Sequence, residues 1–358
     1  MEGIKSLQIV GSKAFGGAER WFQRFSRELS ALGHPPELVV RRGYELEHTD
    51  WQGLVHHALP MRTIWDPLSK WDMRRLIKRL QPQIVQTYMG RATRLTRLRR
   101  RQLPVHIARI GGYYKLAGYH HAHAWIGNTK GICDYLVREG FPTRRIYHIY
   151  NFFEPPAQGG QIASREAWGI PEDAWVLMTP GRLVPVKGQR YLLEALSRLP
   201  QELAGRPLRL LVLGDGPLGE ALRRLTETLQ ITDRVVWAGW QSEPAPFYRM
   251  ADMIVFPSQE EETFGNVVLE AWAFGKPLVC TGFRGAREIL RPEEDGLMTP
   301  CGEPSPLAEA IRRLSLDEAL QASMVAAGRQ RLTNDFAKQP IMRQYIELYT
   351  NLIEQIPG

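Results

Sequence analysis

Two carboxylates, Glu262 and Glu270, stand eight residues apart in EETFGNVVLE, around a Phe-Gly-Asn turn and an apolar Val-Val-Leu run. The preceding DMIVFPS predicts a buried strand, and a helix should open near Phe264, Gly265 and Asn266. A helix start leaves backbone N–H groups without intrahelical partners, and Gly265 would let a ligand come close to them. That arrangement suits a phosphate or a pyrophosphate. At a rise of about 1.5 Å per residue the two glutamates would bracket a ligand about 10 Å long, the size of a nucleoside diphosphate sugar. One carboxylate would take sugar hydroxyls and the other ribose hydroxyls, by charge-assisted hydrogen bonds. The plainer alternative has Glu262 capping the helix and Glu270 on the surface. A retaining glycosidase pair is disfavoured, since its carboxyls sit only about 5–5.5 Å apart across one bond.

A second stretch, GRLVPVKGQ, places Arg182 and Lys187 five residues apart on a loop after a strand. Two such cations can grip a diphosphate from different sides. Read alone, they could equally be solvated loop cations. GDGPLG at 214–219 is formally GxGxxG, the dinucleotide fingerprint. It follows the second strand of its half, and no acidic residue ends the next strand, RVVWAGW, to read a ribose. A tight strand-to-helix turn therefore explains it without a nicotinamide cofactor.

These residues need a scaffold. In the first half, SLQIVGS, PELVVRR, PQIVQTY, VHIARIG, AWIGNT and IYHIYN read as strands, with amphipathic helices such as GGAERWFQRFSRELSALGH between them. FFEPPAQGGQ breaks the pattern and reads as a linker. A second strand–helix series then runs from WVLMTPGRL to KPLVCT. At 358 residues the chain exceeds one comfortable core. The expectation is α/β, with two doubly wound, Rossmann-like domains of parallel strands, residues 1–155 and 156–339. Pro340 should interrupt the preceding helix, and a last helix over about 340–358 should return to the first domain.

The motifs ETFGNVVLE, GRLVPVKGQ, VLGDGP, GGAE and EAWAFGKPLVCT, in that relation to one another, resemble the retaining family 4 glycosyltransferases of GT-B fold. The resemblance spans nearly the whole chain and is strongest over residues 179–300. It implies two facing Rossmann-like domains, a nucleotide-sugar donor in the second, an acceptor at the first, retention at the anomeric carbon and no metal or other cofactor. It implies donor binding by Gly16, Gly17, Arg182, Lys187, Glu262, Phe264, Gly265, Asn266 and Glu270, with Glu262, Arg182 and Lys187 catalytic. Gly16 and Gly17 would form the Gly-rich loop, although an ordinary βα turn explains them as well. The chain departs from the family where many members carry a histidine, because Gly111, Gly112 and Tyr113 follow VHIARI. His120, His121 and His123 read as packing or surface residues, with Tyr113 and Lys115 as weaker substitutes.

Charge adds the partners. Residues 1–160 hold 25 Lys and Arg against 12 Asp and Glu, a net of +13, and the rest holds 21 against 26, a net of −5. A basic first half suits nucleic acid, an anionic membrane or a phosphorylated substrate. GRATRLTRLRRRQ, with Arg91, Arg94, Arg97, Arg99, Arg100 and Arg101, reads as an Arg-rich helix that could rest on anionic lipid or meet acceptor phosphates. It lacks the interleaved aromatics of a single-strand nucleic-acid surface, so no nucleic acid is expected. The preferred acceptor is a lipopolysaccharide core or another cell-surface glycan or glycolipid. A nucleotide-sugar-binding protein without activity and a basic nucleic-acid-binding protein are the alternatives. With no signal-peptide pattern or membrane span, and Cys133, Cys280 and Cys301 far apart, the expected location is cytoplasmic, with a peripheral position at the inner face of the cytoplasmic membrane as the option the basic half leaves open.

Overall fold

The computed structural model describes residues 3–13, 16–154 and 159–356. They fall into two compact units, one running up to Asn151 and taking in the stretch from Lys338 onward, the other Phe152–Ala337. The expected boundary at 155/156 and linker residues 155–158 lie outside the described residues.

In the first unit β1 (Ser6–Val10), β2 (Glu37–Arg41), β3 (His56–Leu59), β4 (Ile84–Tyr88), β5 (Val105–Ile110), β6 (Ala124–Gly127) and β7 (Ile146–His148) pair in parallel, in the order β3-β2-β1-β4-β5-β6-β7. Helices α1 (Gly17–Ala31), α2 (Pro67–Leu80), α3 (Met89–Leu95) and α4 (Lys130–Arg138) connect them. Every residue of β1, β4 and β5 is buried, as expected of parallel strands covered on both faces. β3 is absent from the sequence expectation because HHAL is a polar, partly exposed edge strand with no apolar alternation.

The C-terminal helix, Lys338–Glu354, belongs to this unit. It explains two glutamines in the central strands. Tyr349 donates to Gln86 Oε1 at 2.9 Å, Tyr88 donates to Gln8 Oε1 at 3.0 Å, and Gln86 Nε2 donates to Tyr88 at 2.6 Å. Each buried amide thus finds a phenol. Pro340 does not interrupt a helix: the break falls at Phe336 and Ala337, and Pro340 lies in the first turn of the new helix, where a missing N–H costs nothing.

The expected Arg-rich helix is also corrected. α3 stops at Leu95, with Thr96 extended, so Arg97, Arg99, Arg100 and Arg101 lie beyond it. Like charges three and four apart along a continued helix would repel. Backbone carbonyls take two guanidiniums of the run, Arg91 within α3 on Met61 and Arg62 at 2.7 Å each and Arg100 beyond it on His120 at 2.8 Å.

His106, His121 and His123 are packed together, in keeping with a packing role for the last two. His106 Nε2 lies 3.0 Å from Thr87 Oγ1, His123 Nδ1 accepts from the His106 amide at 3.1 Å, and His121 Nε2 donates to the carbonyls of Thr93 and Thr96. Burial lowers all three pKa values, aided by neighbouring imidazoles and by Arg97, Arg100 and Arg145. Unfolded, each would take a proton at about pH 6.5. Their neutral packing therefore contributes stability that is full above that pH and is lost as pH falls through the folded values. Asp295, which burial pushes up to about 6, titrates the opposite way and offsets one of them. Chemical denaturation should show stability falling from pH 7 to pH 5, each histidine that stays neutral costing about 1.4 kcal/mol per pH unit. A flat or rising profile would contradict this packing.

In the second unit β8 (Trp175–Pro180), α5 (Gln189–Leu196), β9 (Glu202–Leu203), β10 (Arg206–Leu213), α6 (Gly219–Thr228), β11 (Val235–Gly239), α7 (Ala245–Met250), β12 (Met253–Phe256), α8 (Asn266–Ala273), β13 (Leu278–Thr281), α9 (Ala286–Ile289), β14 (Leu297–Thr299), α10 (Pro304–Leu316) and α11 (Glu318–Asp335) follow in turn. The parallel order is β11-β10-β8-β12-β13-β14, with short β9 antiparallel to β10 at the side. Leu177, Leu210, Val212 and Val255 meet Leu192, Leu196, Ile311 and Leu314 in the core.

Candidate functional site

In a doubly wound sheet, ligands bind at the carboxyl ends of the two strands where the order reverses. In the second unit those strands are β8 and β12. The loop after β8 carries Arg182 and Lys187, and the loop after β12 carries Ser258, Glu262, Phe264 and Gly265. The two stretches that looked chemical in sequence therefore meet at one place.

Lys187 Nζ donates to Glu262 Oε2 at 2.6 Å, and Ser258 Oγ donates to the same oxygen at 3.4 Å. Lys187 Nζ also lies 4.9 Å from the centre of the Phe256 ring. The two charged side chains are 21% and 14% exposed, so the pair is shielded but open to a ligand. The loops are stitched by the Gln259 amide, which donates to Val186 O at 2.8 Å. Gly188 sits in the left-handed region at φ +65°, and a Cβ there would fall 2.0 Å from Pro257 O, so only glycine lets the loops close. Sequence reasoning set Lys187 on the diphosphate and Glu262 on the sugar, and did not foresee that they pair with each other. Arg182 is exposed, and no ion pair holds it among the described residues.

Gly265 caps α8 from the left-handed region at φ +80°, with Phe264 buried before it and Asn266 opening the helix. A Cβ on Gly265 would come 2.5 Å from Phe283 Cζ and 3.2 Å from Phe256 Cε1. Gly265→Ala should therefore cost about 2–4 kcal/mol, from the backbone strain and the clash together, visible as a lower denaturation midpoint. Within α8, Glu270 Oε2 accepts from Tyr248 OH at 2.5 Å. Tyr248 is buried on α7 and stacks on Phe274 at 4.7 Å. Sequence reasoning missed Tyr248 and Ser258. A tyrosine in the short helix that immediately precedes the switch strand was the available signal for the first.

The GDGPLG turn is a packing device. Gly214 at φ +144° would put a Cβ 2.1 Å from Gly181 O, and Gly216 would put one 2.6 Å from Leu183 O. Its glycines let the turn after β10 lie directly against the loop that carries Arg182, and Leu183 N donates to Asp215 O at 2.9 Å.

In the first unit, Gly17 opens α1 and Gly16 is its N-cap. Glu19 Oε2 already accepts from the Gly16 amide at 2.9 Å, so that N–H is used within the helix start. The preceding loop residues 14 and 15 lie outside the described residues. Near Gly111, Gly112, Tyr113 and exposed Lys115, the structure holds a cation that sequence reasoning passed over. Arg109, buried at the end of β5, stacks over Trp21 at 4.5 Å, donates from Nε to Tyr345 OH at 3.1 Å and from Nη2 to Asn151 Oδ1 at 2.5 Å. It ties β5 to the C-terminal helix and to the end of the unit. Among the described residues no group of three or more His, Cys, Asp or Glu side chains could hold a metal ion.

The comparisons with known proteins agree with this architecture. Residues 15–155 match the family model described as Glycosyltransferase Family 4, and residues 161–331 match Glycosyl transferases group 1. The chain is 31% identical to the lipopolysaccharide core biosynthesis glycosyltransferase LpsD of Rhizobium meliloti, over 93% of this chain and 95% of that one. Its identity to LpsE of the same organism is 30%, with the same coverage. Among solved structures, Anabaena HepE in complex with UDP and glucose superposes with a TM-score of 0.83 at 17% identity, covering 97% of this chain and all of that one. WaaG, a glycosyltransferase involved in lipopolysaccharide biosynthesis, gives a TM-score of 0.74 at 16% identity, covering 97% and 100%. With two Rossmann-like parallel-sheet units, matched family models over both, and relatives aligned from end to end, the chain belongs to the family 4 type glycosyltransferases of GT-B fold.

Proposed function

We propose that the chain transfers a hexose from a nucleoside diphosphate sugar, with retention and without a metal, to a lipopolysaccharide core or a related cell-surface glycolipid. The observation that carries this reading is the convergence of Lys187, Glu262 and the start of α8 at the switch point of the second sheet. The diphosphate would lie against Arg182, Lys187 and the amides near Phe264 to Asn266, where positive charge and a helix start favour it. Glu270, fixed by Tyr248, would accept hydrogen bonds from the ribose hydroxyls. Glu262 would orient the sugar while it holds the Lys187 ammonium in place.

In the proposed front-face reaction, the bond from the anomeric carbon to the diphosphate oxygen breaks and a bond to the acceptor hydroxyl forms on the same face. The acceptor's proton passes to the departing phosphate oxygen, so no side chain has to act as nucleophile. Charge grows on the leaving diphosphate, and Lys187 with Arg182 would stabilise it most in the transition state. The acceptor class is supported by the likeness to LpsD and LpsE, which are lipopolysaccharide core biosynthesis glycosyltransferases.

The test is thermal unfolding against UDP-, GDP- and ADP-sugars, with NAD as control, followed by the anomeric configuration of the product and turnover in excess chelator. A ligand specific for the folded state stabilises by about 2.7 kcal/mol at 100 times its dissociation constant. A shift with one nucleotide sugar, an α-linked product from an α-donor and turnover undiminished by chelator are expected. A shift with NAD alone would overturn the reading.

A further inference from the structure

The second helix of the first unit carries a surface that sugar transfer leaves unused. α2 buries Ser69, Met73, Leu76 and Ile77. On its outward side, Trp65 just before the N-cap is 75% exposed, Leu68 63% and Trp71 57%. Leu68 and Trp71 are neighbours on the helix surface, three residues apart. The other large exposed apolar side chains of the unit, such as Leu32, Val55 and Val137, lie on separate segments. Scattered apolar residues need no explanation, whereas two indoles and a leucine at one helix end do.

Cations accompany them. The Lys70 ammonium lies 5.7 Å from the centre of the Trp65 ring and the Arg75 guanidinium 5.4 Å from that of Trp71. From Arg62 to Arg79 the sequence has six Lys and Arg against Asp66 and Asp72. Asp66 spends its carboxylate as the helix cap, accepting from the Leu68 amide and the Ser69 hydroxyl. The outward residues of the later turns, Arg74, Arg75, Lys78 and Arg79, are exposed. Indoles beside long cationic side chains fit the headgroup level of an anionic bilayer, where the rings enter the acyl boundary and the cations meet lipid phosphates. The position is apt as well. The chain reaches α2 from the carboxyl end of β3, so the tryptophan end of the helix follows the carboxyl-end side of the sheet, the side on which a doubly wound fold takes its ligands at the β1/β4 switch point.

We propose that the outer face of α2, anchored by Trp65, Leu68 and Trp71 and charged by Arg74, Arg75 and Lys78, docks the protein on an anionic lipid surface. The docking rests on the glycolipid-acceptor reading only for its purpose, which is to bring the first unit to a membrane-held acceptor. It is preferred to the Arg91–Arg101 run as the membrane contact, since that run is not one helix face, exposes no large aromatic side chain and has Arg91 and Arg100 bonded to backbone carbonyls.

The full chain would be sedimented with vesicles of phosphatidylcholine alone and of phosphatidylcholine with phosphatidylglycerol, and its tryptophan emission recorded. Wild type should bind the anionic vesicles with a blue shift and lose binding as salt is raised. Trp65→Gln with Trp71→Gln should weaken binding at least about tenfold and abolish the shift, and each of Arg74→Gln and Lys78→Gln should weaken it about fivefold. A wild type that stays in the supernatant overturns the proposal. So does a tryptophan variant that binds like wild type, or loss of binding only with Arg97→Gln, Arg99→Gln and Arg101→Gln. Conversion of a solution dimer to monomer by the tryptophan variant, without vesicle binding, would assign the face to a second copy instead. The vesicles hold no acceptor, and the donor-induced thermal shift is read separately in every variant, so failure of docking and failure of the transferase reading are distinguishable.

Discussion

Lys187→Met is expected to lower kcat/KM by about 10²–10³ and to do so mainly through kcat. Its ammonium sits at the switch point of the second unit, 2.6 Å from Glu262 and over the Phe256 ring, where water competes only in part. A preorganised cation acts most strongly where charge develops, and in the proposed reaction the charge develops on the leaving diphosphate, so its loss would raise the barrier more than it weakens the ground-state complex. The substitution also removes the strongest partner of Glu262, which keeps the Ser258 hydroxyl and some access to water. A stability cost of about 1–3 kcal/mol should accompany the kinetic loss. Lys187→Arg restores the charge with a wider, planar group and should recover part of kcat. Steady-state kinetics and chemical denaturation on the same samples separate the two effects. If Lys187→Met lost stability but kept kcat, the pair would be a structural clasp and the diphosphate would be neutralised elsewhere.

The pairing itself marks where sequence ceases to be informative. Glu262, Lys187, Gly265 and Glu270 stand out in the sequence as candidates because backbone demands and charge leave local marks, such as a glycine before an apolar helix or a cation shortly after a buried strand. That Lys187 and Glu262 form a hydrogen-bonded ion pair depends on β8 and β12 being adjacent, although 75 residues separate the two side chains. No local pattern encodes that adjacency. Gln8 and Gln86 look like defects in apolar strands until the C-terminal helix brings Tyr349 to them. The Arg-rich run misled for a related reason. Its composition suggested a helix, yet α3 ends at Leu95, and carbonyls at Met61, Arg62 and His120, all distant in sequence, hold Arg91 and Arg100. Strand existence was read well wherever a strand is buried on both faces and at the edge strands β7 and β11, but the polar edge strand β3 and the three-residue edge strand β14 carry too little pattern and were missed.

Glu270 and Tyr248 should show the opposite kinetic pattern from Lys187. If Glu270 holds the ribose, its contacts are the same in the bound donor and in the transition state, so they contribute uniform binding. Glu270→Ala is expected to raise the donor dissociation constant about 100-fold, the loss of two hydrogen bonds to a charged acceptor, with kcat at saturating donor little changed. Tyr248 does not need to touch the donor. Its hydroxyl donates to Glu270 Oε2 at 2.5 Å, and its ring is locked against Phe274, so it fixes the carboxylate's direction. Tyr248→Phe keeps the stacking and removes only that donor, and should weaken donor binding about 10-fold. Because the phenol acts through the carboxylate, the double variant should bind no worse than Glu270→Ala alone, leaving a coupling energy of about 1.4 kcal/mol in the cycle. Calorimetric titration of the four proteins with the nucleotide part of the donor measures each term without an acceptor. Additive losses would mean that Tyr248 meets the nucleotide directly. An unaltered Glu270→Ala affinity would remove the ribose from α8 and place the nucleoside on another part of the second unit.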